Sequence, residues 1–586
     1  MIFFVWGALV SVCRVVPSDV MSAVDQVGLG LLGQAGMVAV RVADLRSPAG
    51  VGLGKDGRTA LVTAGAGPIR TGDVVVFCKP VAIAAAVVRR DGRVQAGGHP
   101  ADHARLGVAE DRLDALTGTP GVIDEVAGSV TLQGKVQGVA RRAMTPALTI
   151  RFTLLMTLLP DADYVEVMAA LLGDLVAVPW QRPYRLPTAT VACTWRQAIG
   201  PGPLVQLRDR LLAAVDAEHR DHDYRAVRVG DLDACSIDGS LVRVPDTAAN
   251  RAAFGSVGTA DDAAPYPQLR ELRLSHAGTR SALAVVTGPS GAAAGGARDK
   301  GEAEQVLLDK AITDAPQVFT PHRLWIMDRN FPGVPRIQRI LQTGTHVLIR
   351  LKDGITLHRI AEFLPDGSYL ATICGGGVSL TVRVIEYWVS VAAQDTRELF
   401  CLITDLHDHI AYPAQMLAAA YHWRWIGSET CLKEAKSTIS GAGPSTGAML
   451  RSSSPAQTAQ EHAAWVTAVE LTRATARAAA AVAAPAKTGP RADQPVHPRA
   501  ISFTAARRTL ITTTRTGAAT ASLPTSTITA TAHTALAELA RRRVVIDRNR
   551  HRERKTKARL GFPTAGPHLP TRTAPAQITI CNPLTA

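Results

Sequence analysis

The segment VGDLDACSIDGSLVRVP, residues 229–245, decides the fold of this chain. Its apolar and β-branched residues predict a long strand, in which Asp238 directly follows an apolar run and precedes Gly239. Two further strands are predicted at 267–278 and 280–288, and a tight turn joins them. Three consecutive strands, of which a tight turn joins the last two, predict an antiparallel meander at the start of a sheet.

An amphipathic helix and more strands follow the meander. The helix is predicted at 301–312, and two buried strands at 322–328 (HRLWIMD) and 345–352 (THVLIRLK). Further strand-like runs between about 354 and 404 predict a β insertion before the next helix. This order of elements predicts an α/β fold, with a mixed sheet and flanking helices.

The composition is that of a globular protein with a strongly basic balance. The 586 residues are 47% hydrophobic and 19% charged, and the formal net charge is +14. A chain of this length is expected to form two to four domains. Residues 541–559 carry ten Lys and Arg against two acids, a net charge of +8. This balance favours a polyanionic partner such as nucleic acid, with a solvated basic tail as the alternative.

The cysteines and the chain start indicate the compartment. Eight cysteines are scattered without a CxxC pair, which argues against a zinc ribbon or a disulfide framework. The apolar start, MIFFVWGALVSVC, lacks a basic segment and is too short to span a bilayer. We therefore expect a reducing compartment, without secretion and without a membrane anchor.

Four regions differ in their sequence pattern. Residues 1–117 are rich in Gly and Val, with short strand-like runs and two GxGxxG matches that lack a βαβ context. Residues 118–225 have a helical pattern, in which Pro160-Asp161 separates two predicted packed helices. Residues 226–470 contain the α/β core, and residues 471–586 are rich in Ala, Thr and Pro before the basic tail.

Three carboxylates are candidates for a catalytic site. Asp238 and Asp328 each lie on or at the end of a buried strand, where an acid is costly unless it is paired or binds a metal. For either aspartate alone, the capping of a loop is the alternative. Glu429 adds a third acid from a predicted helix. Carboxylate oxygens suit Mg²⁺, and two such ions about 4 Å apart support phosphodiester chemistry.

Four sequence blocks resemble the DDE transposases of bacterial insertion sequences, and the last fits the subgroup with a Tyr-Arg-Glu-Lys signature. The blocks occur in the family's order at residues 151–172, 237–255, 324–331 and 421–436. The resemblance covers roughly residues 118–470. It implies a ribonuclease H-like catalytic domain, preceded by a helical N-terminal domain that binds DNA.

The resemblance also implies an activity and its cofactors. The family's three acids fall on Asp238, Asp328 and Glu429, which are thereby implied to be catalytic and to bind two Mg²⁺ ions, with Mn²⁺ as a substitute. The implied reaction is cleavage at the element's ends and strand transfer by the freed 3′-hydroxyl. The implied assembly is a homodimer on paired ends of double-stranded DNA, in the bacterial cytoplasm at the nucleoid.

The signature residues Tyr421, Arg424 and Lys436 are implied to contact DNA phosphates, but their spacing departs from the family. The commoner signature leaves three residues between its Arg and its Glu. This chain has four, WIGS, between Arg424 and Glu429. A single-turn π-bulge absorbs one inserted residue in a helix. We therefore predict a bulge or kink at 426–429 that returns the signature to one face.

Other residues are weaker candidates. Arg329 follows the second aspartate and either contacts DNA or pairs with an acid. Lys352 and Arg350 either face the DNA or belong to a solvated strand face. Trp388, in the β insertion, could stack on a displaced base, but the pattern favours a place in the core.

The leading hypothesis is an active DNA transposase. A ribonuclease H-like nuclease that cuts without strand transfer is the second enzyme hypothesis, and an assay for joined products separates the two. A DNA-binding remnant of a transposase, without catalysis, is the third hypothesis.

Overall fold

Two small antiparallel sheets lie in the N-terminal region, as the strand-like runs predict. β1 (Ile2–Trp6) pairs with β2 (Leu9–Cys13), and β4 (Ala82–Val88) pairs with both β3 (Val74–Lys79) and β5 (Val94–Gly97). The GxGxxG matches lie outside the described residues, as does most of the basic tail. The computed structural model describes residues 2–6, 9–13, 74–79, 82–88, 94–97, 108–133, 136, 144–172, 186–221, 227–257, 264–291, 303–352, 354–391, 394–439, 449–484, 495–520, 534–542 and 576–581.

A helical region follows. Its helices are α1 (Val108–Thr117), α2 (Val122–Gly128), α3 (Pro146–Leu158), α4 (Tyr164–Leu172), α5 (Ala189–Ile199) and α6 (Gly202–Asp221). The two helices predicted on either side of Pro160-Asp161 are therefore present as α3 and α4. Thr145 starts α3, because its hydroxyl accepts the backbone N–H of Leu148 at 3.1 Å.

Helix α3 is buried on all sides, so its one charged residue needs a partner. The guanidinium of Arg151 lies 2.6 Å from the Glu110 carboxylate and 2.9 Å from that of Asp124. Arg151 and Glu110 are both almost fully buried. The pair satisfies a charge that could not otherwise lie in an apolar core.

The central sheet has the strand order of a ribonuclease H-like fold. Its five principal strands lie in the order β9-β8-β7-β10-β11. β7, β8 and β9 form the predicted antiparallel meander, whereas β10 lies parallel to both β7 and β11. The elements in chain order are β6 (Arg228–Val229), β7 (Leu232–Arg243), α7 (Ala248–Phe254), β8 (Gln268–His276), β9 (Ala282–Pro289), α8 (Glu304–Asp314), the 3-10 helix Pro316–Val318, β10 (Arg323–Met327), α9 (Val334–Leu341) and β11 (His346–Arg350).

Both faces of this sheet are covered. Trp325 and Met327 of β10 pack with α8 and α9 on one face, and Leu324 and Ile326 pack on the other face. All five residues of β10 are buried. A strand covered on both faces is apolar throughout rather than alternating, which explains the run LWIM in the sequence.

The predicted β insertion extends the same sheet. β15 pairs antiparallel with β11, and β14 and β13 continue outward from it. Its strands are β12 (His358–Arg359), β13 (Tyr369–Gly375), β14 (Val378–Val391) and β15 (Gln394–Thr404). β16 (Ala576–Ile580), from the C-terminal region, pairs with β14. The α/β, ribonuclease H-like fold with a β insertion is thereby confirmed.

Helices follow the insertion and close the fold. They are α10 (Ala414–Tyr421), a π-helix at Trp425–Glu429, α11 (Thr430–Glu434), a second π-helix at Ala435–Ile439, α12 (Pro455–Ala481), the 3-10 helix Pro498–Ala500 and α13 (Phe503–Thr520). α12 runs through the boundary predicted at residue 470, and the domain limits stay predictions. Within the described ranges, no helix combines the length and apolar character needed to cross a membrane.

Helix α12 packs against α3 and α6 and joins the helical region to the central sheet. Arg196 of α5 is central to this junction and is 1% exposed. Its guanidinium donates to Gln460 Oε1 at 2.8 Å and to Ser452 Oγ at 2.9 Å. It also donates to the hydroxyl of Tyr164. One arginine therefore satisfies polar groups from three separate parts of the chain.

We predict that Arg196→Ala lowers the free energy of unfolding by about 3 kcal/mol, because it leaves several buried polar groups without their donor. Urea unfolding followed by circular dichroism measures the change. The control is Arg210→Ala, which removes an exposed ion pair with Glu125 and should leave the midpoint nearly unchanged. Equal midpoints for the two variants would contradict the assigned role.

Candidate active site

Strands β7 and β10 place the two aspartates side by side. Side chains alternate along a strand, so Ser236 and Asp238 of β7 point to the same face. β10 runs parallel to β7 with Ile326 opposite Ser236. Continuing this register by two residues brings Asp328, which directly follows β10, next to Asp238. Asp328 Oδ1 accepts the backbone N–H of Asn330 at 2.8 Å, so the loop after β10 also holds it.

The predicted helical irregularity is confirmed as the π-helix Trp425–Glu429. The backbone N–H of Thr430 bonds to the carbonyl of Trp425, five residues earlier. Arg424 and Glu429 are also five residues apart, and on a regular α-helix they would point about 140° apart. Here Arg424 Nη2 donates to Glu429 Oε1 at 3.0 Å. The wide turn of the π-helix therefore accommodates the extra residue and brings the side chains of Arg424 and Glu429 into contact.

Gly427 lets the π-helix approach β7 closely. A Cβ built on Gly427 would lie 2.7 Å from Ser236 Oγ and 3.0 Å from the Cα of Ala277. Any side chain larger than hydrogen would therefore push the helix away from the strand that carries Asp238. This contact explains why a glycine stands just before the helical carboxylate.

The guanidinium of Arg424 lies between two of the candidate acids. Its Nη1 is 3.9 Å from Asp238 Oδ2, and its Nη2 bonds to Glu429. The same group lies over the ring of Trp425, 4.8 Å from the ring centroid. The side chains of Arg424 and Asp238 are largely buried, so water screens their interaction little, whereas the Glu429 side chain is 48% exposed and its pairing is screened more.

The environment of Asp238 disfavours its charge. Burial raises the pKa of Asp238 to about 6, and the negative charges of Asp328 and Glu304 add to this effect. The positive charge of Arg424 opposes them. A carboxyl that folding leaves desolvated beside two like charges is typical of a functional site.

Glu304 is a fourth acid that sequence reasoning missed. It begins α8 and lies over Gly239, because a Cβ on that glycine would collide with the Glu304 carboxylate. Burial raises the pKa of Glu304, and Asp328 adds to the shift. Arg270 is its cationic neighbour at 3.6 Å. Gly239, which directly follows Asp238, was the sequence signal for this contact. A glycine there lets another group approach the face of the strand opposite Asp238 closely.

Lys436 and Tyr421, the other two residues of the signature, differ in their surroundings. Lys436 is half-buried in the second π-helix, and burial lowers its pKa against the opposing charges of Glu271 and Asp238. Tyr421 is 1% exposed and packs edge-on against Trp425. Its ring is therefore covered in this structure, and the expected contact of Tyr421 with DNA stays a prediction. Tyr421 supports the residues beside it, including Arg424.

The weaker candidates are resolved as surface residues. Arg329 follows β10 and is exposed, without an ion pair to any described residue. Lys352 follows β11 and is also exposed. The favoured core position of Trp388 is wrong, because this side chain is 40% exposed. Its cross-strand neighbours Leu399 and Thr579 are exposed as well, so this face of the sheet is uncovered here.

The donor chemistry of the site fits a divalent cation. Asp238, Asp328 and Glu429 offer carboxylate oxygens, which Mg²⁺ prefers. Asp238 and Glu429 already contact a positively charged group, the guanidinium of Arg424. Within the described residues, no three His, Cys, Asp or Glu side chains are close enough to share one ion. The structure therefore brings Asp238 and Glu429 to the two sides of one guanidinium, with Asp328 beside Asp238.

Comparison with known proteins shows little likeness in sequence. No protein-family model matches the chain, and no curated protein matches it significantly. Among solved structures, it is similar to the cryo-EM structure of a piggyBac transposase synaptic complex with hairpin DNA. The identity is 12% and the TM-score 0.36, covering 74% of this chain and 85% of that chain. The fold assignment therefore rests on the strand order of this chain itself.

We predict that Asp238→Asn stabilises the metal-free protein above neutral pH. The folded-state pKa of about 6 exceeds the ordinary value of 3.8, so wild type loses stability as pH rises through this interval. The variant lacks this loss and should gain roughly 3 kcal/mol at pH 8, and nothing below pH 4. Urea unfolding with EDTA at a series of pH values measures the difference. Exposed Glu362→Gln is the control and should follow wild type at every pH.

We predict that Gly427→Ala destabilises the protein by about 1–3 kcal/mol, although alanine favours helix formation. The added methyl group meets Ser236 and Ala277, so the helix must shift. The control is Gly128→Ala in α2, where a Cβ meets nothing within 4 Å. Thermal unfolding of both variants tests the contact, and a rise of the Gly427→Ala midpoint would contradict it.

Proposed function

We propose that this chain is a DDE-type DNA transposase, which cuts at the ends of a mobile element and joins the freed 3′-hydroxyl to target DNA. The observation that carries the proposal is the contact of Arg424 with Asp238 and Glu429, beside Asp328, on a ribonuclease H-like sheet. Asp238 and Glu429 lie far apart in the sequence, yet both contact this one guanidinium.

Asp238, Asp328 and Glu429 are proposed to hold Mg²⁺, with Mn²⁺ as a substitute. When bound, two such ions would supply activation of the attacking oxygen and stabilisation of the leaving oxygen. The protein supplies a fixed arrangement of donors: two side chains on a rigid sheet and one on a helix packed against it.

The cations of the site are proposed to hold the DNA backbone. Arg424 has a planar guanidinium that matches two phosphate oxygens as well as it matches a carboxylate. Lys436 lies within the electrostatic reach of Asp238. Arg329 and Lys352 follow β10 and β11, whose carboxyl ends lie at the same edge of the sheet. DNA that reaches the acids would pass these exposed side chains.

The proposed substrate is double-stranded DNA at element ends and at the target, and the proposed assembly is a synaptic homodimer in the bacterial cytoplasm. The net charge of +14 suits a polyanion. The helical region, residues 118–225, is proposed to bind the ends. Phosphate contacts position the protein on DNA without reading its sequence, so affinity should fall steeply with salt.

We predict that Glu429→Gln binds end-containing DNA but neither nicks nor joins it, because the amide keeps the shape of the side chain and loses its charge. Wild type, with Mg²⁺ and a target plasmid, should do both. Gel electrophoresis separates nicked from joined products, and a mobility shift measures binding. The matched control, Glu362→Gln at an exposed position of the β insertion, should behave as wild type.

Each outcome of this experiment selects one function. Joined products that require Glu429 support the transposase. Nicking without joining by wild type would indicate a nuclease, and binding without either reaction would indicate a DNA-binding remnant. Cleavage by Glu429→Gln at the wild-type rate would contradict the assignment of the site.

A further inference from the structure

The C-terminal strand β16 docks on the outer edge of β14. Its residues 576–580 pair antiparallel with residues 387–391, and the backbone N–H of Cys581 donates to the carbonyl of Glu386 at 2.9 Å. This segment of β14 lies beyond the reach of β13, so its edge would otherwise present unpaired backbone groups. β16 completes the sheet at this edge.

The two faces of β16 differ. Ile578 and Ile580 are partly buried and belong to the apolar cluster beneath the sheet, whereas Gln577 and Thr579 are exposed. The sequence AQITI thus alternates as expected for a strand with one covered face. β16 also packs against α10, the helix that ends at Tyr421.

A continuous series of aromatic contacts leads from β16 to the site. Ile580 is paired with Tyr387, whose ring stacks on Phe400 with a centroid distance of 5.3 Å. Phe400 packs edge-on against Tyr421 at 6.1 Å, and Tyr421 packs against Trp425 at 6.0 Å. These rings are largely buried, and close-packed interiors transmit displacement rather than absorb it.

The last ring in this series contacts the guanidinium of Arg424. Trp425 begins the π-helix and lies under the guanidinium of Arg424, which contacts Asp238 and Glu429. Any shift of Tyr421 therefore moves the platform on which Arg424 rests. A displacement of about 1 Å in such a site can cost about a hundredfold in rate.

We propose that Ile578 and Ile580 are positioning residues for the proposed reaction: β16 holds Tyr421 and Trp425 so that Arg424 and Glu429 face Asp238. The surface is the edge of β14 together with α10, and its occupant is residues 576–581 of this same chain. This proposal rests on the proposed transposase function. β16 pairs with the edge of β14 through backbone hydrogen bonds, so a separate peptide of the same residues should dock there in the same way, as in strand addition to a sheet edge.

The first experiment compares two double variants on opposite faces of β16. Ile578→Asp/Ile580→Asp should lower the single-turnover rate of DNA nicking at least about tenfold, with the Kd for end-containing DNA within about twofold of wild type. The matched control, Gln577→Asp/Thr579→Asp, adds the same charge on the exposed face and should nick at the wild-type rate. Equal rates for the two variants would overturn the proposal.

The second experiment supplies the strand as a separate molecule. A chain truncated after residue 573 should nick slowly, and a synthetic peptide of residues 574–583 should restore the rate in a saturable way. A fluorescein-labelled copy of this peptide should bind the truncated chain, measured by anisotropy, whereas the copy with Ile578→Asp/Ile580→Asp should not. Peptide binding without recovery of the rate would overturn the positioning role.

The two experiments separate this proposal from the proposed function. If full-length wild type neither nicks nor joins DNA, the proposed function fails, and the binding of the labelled peptide still decides whether strand docking occurs. If wild type is active and the truncated chain is equally active without peptide, the positioning role fails while the transposase assignment stands.

Discussion

The contact of the Arg424 guanidinium with Asp238 and Glu429 is the constraint on which the candidate site depends. It joins a strand to a helix that lies almost two hundred residues later, and it requires two local departures from regular structure. The π-helix turns Glu429 toward Arg424, and Gly427 lets the helix reach the strand. Both irregular features therefore follow from one electrostatic requirement. A regular helix with a larger residue at this point would separate the charges.

A buried charge cluster holds the same helix from behind. Glu271 of β8 is fully buried, with Arg273 at 2.9 Å and His462 Nε2 at 2.6 Å. Burial alone would raise the pKa of Glu271, but these partners hold it well below its ordinary range. Arg473 of α12 also reaches Glu434 of α11, at 3.8 Å. Buried ion pairs add little net stability, yet breaking one leaves an unpaired charge, so such a cluster favours a single arrangement of strand and helix.

The sequence was sufficient for features that depend on local pattern. The strands and the meander followed from apolar runs and one tight turn, and the π-helix followed from the one extra residue between Arg424 and Glu429, whereas the ribonuclease H-like arrangement came from the family resemblance. It was insufficient where tertiary neighbours decide. Tyr421 and Trp388 have similar aromatic character, yet one is buried by β14, β15 and β16 and the other lies where the cover ends. The pairing of β16 with β14, almost two hundred residues earlier, is likewise a placement that no local pattern predicts.

The stability of the site therefore depends on contacts made by residues other than the three acids. Asp238 is desolvated and lies near like charges, so its surroundings oppose folding with the carboxylate ionised. Three features hold the helix that carries Arg424 and Glu429 in place opposite Asp238. They are the packing of Gly427 on β7, the charge cluster around Glu271 and the strand β16. Each of them fixes the helix without touching the acid. A carboxylate kept at a cost in stability needs rigid neighbours, because a looser helix would let water in and relax the strained charge. The packing around this site thus keeps Asp238 in surroundings that disfavour its negative charge and that a cation would suit.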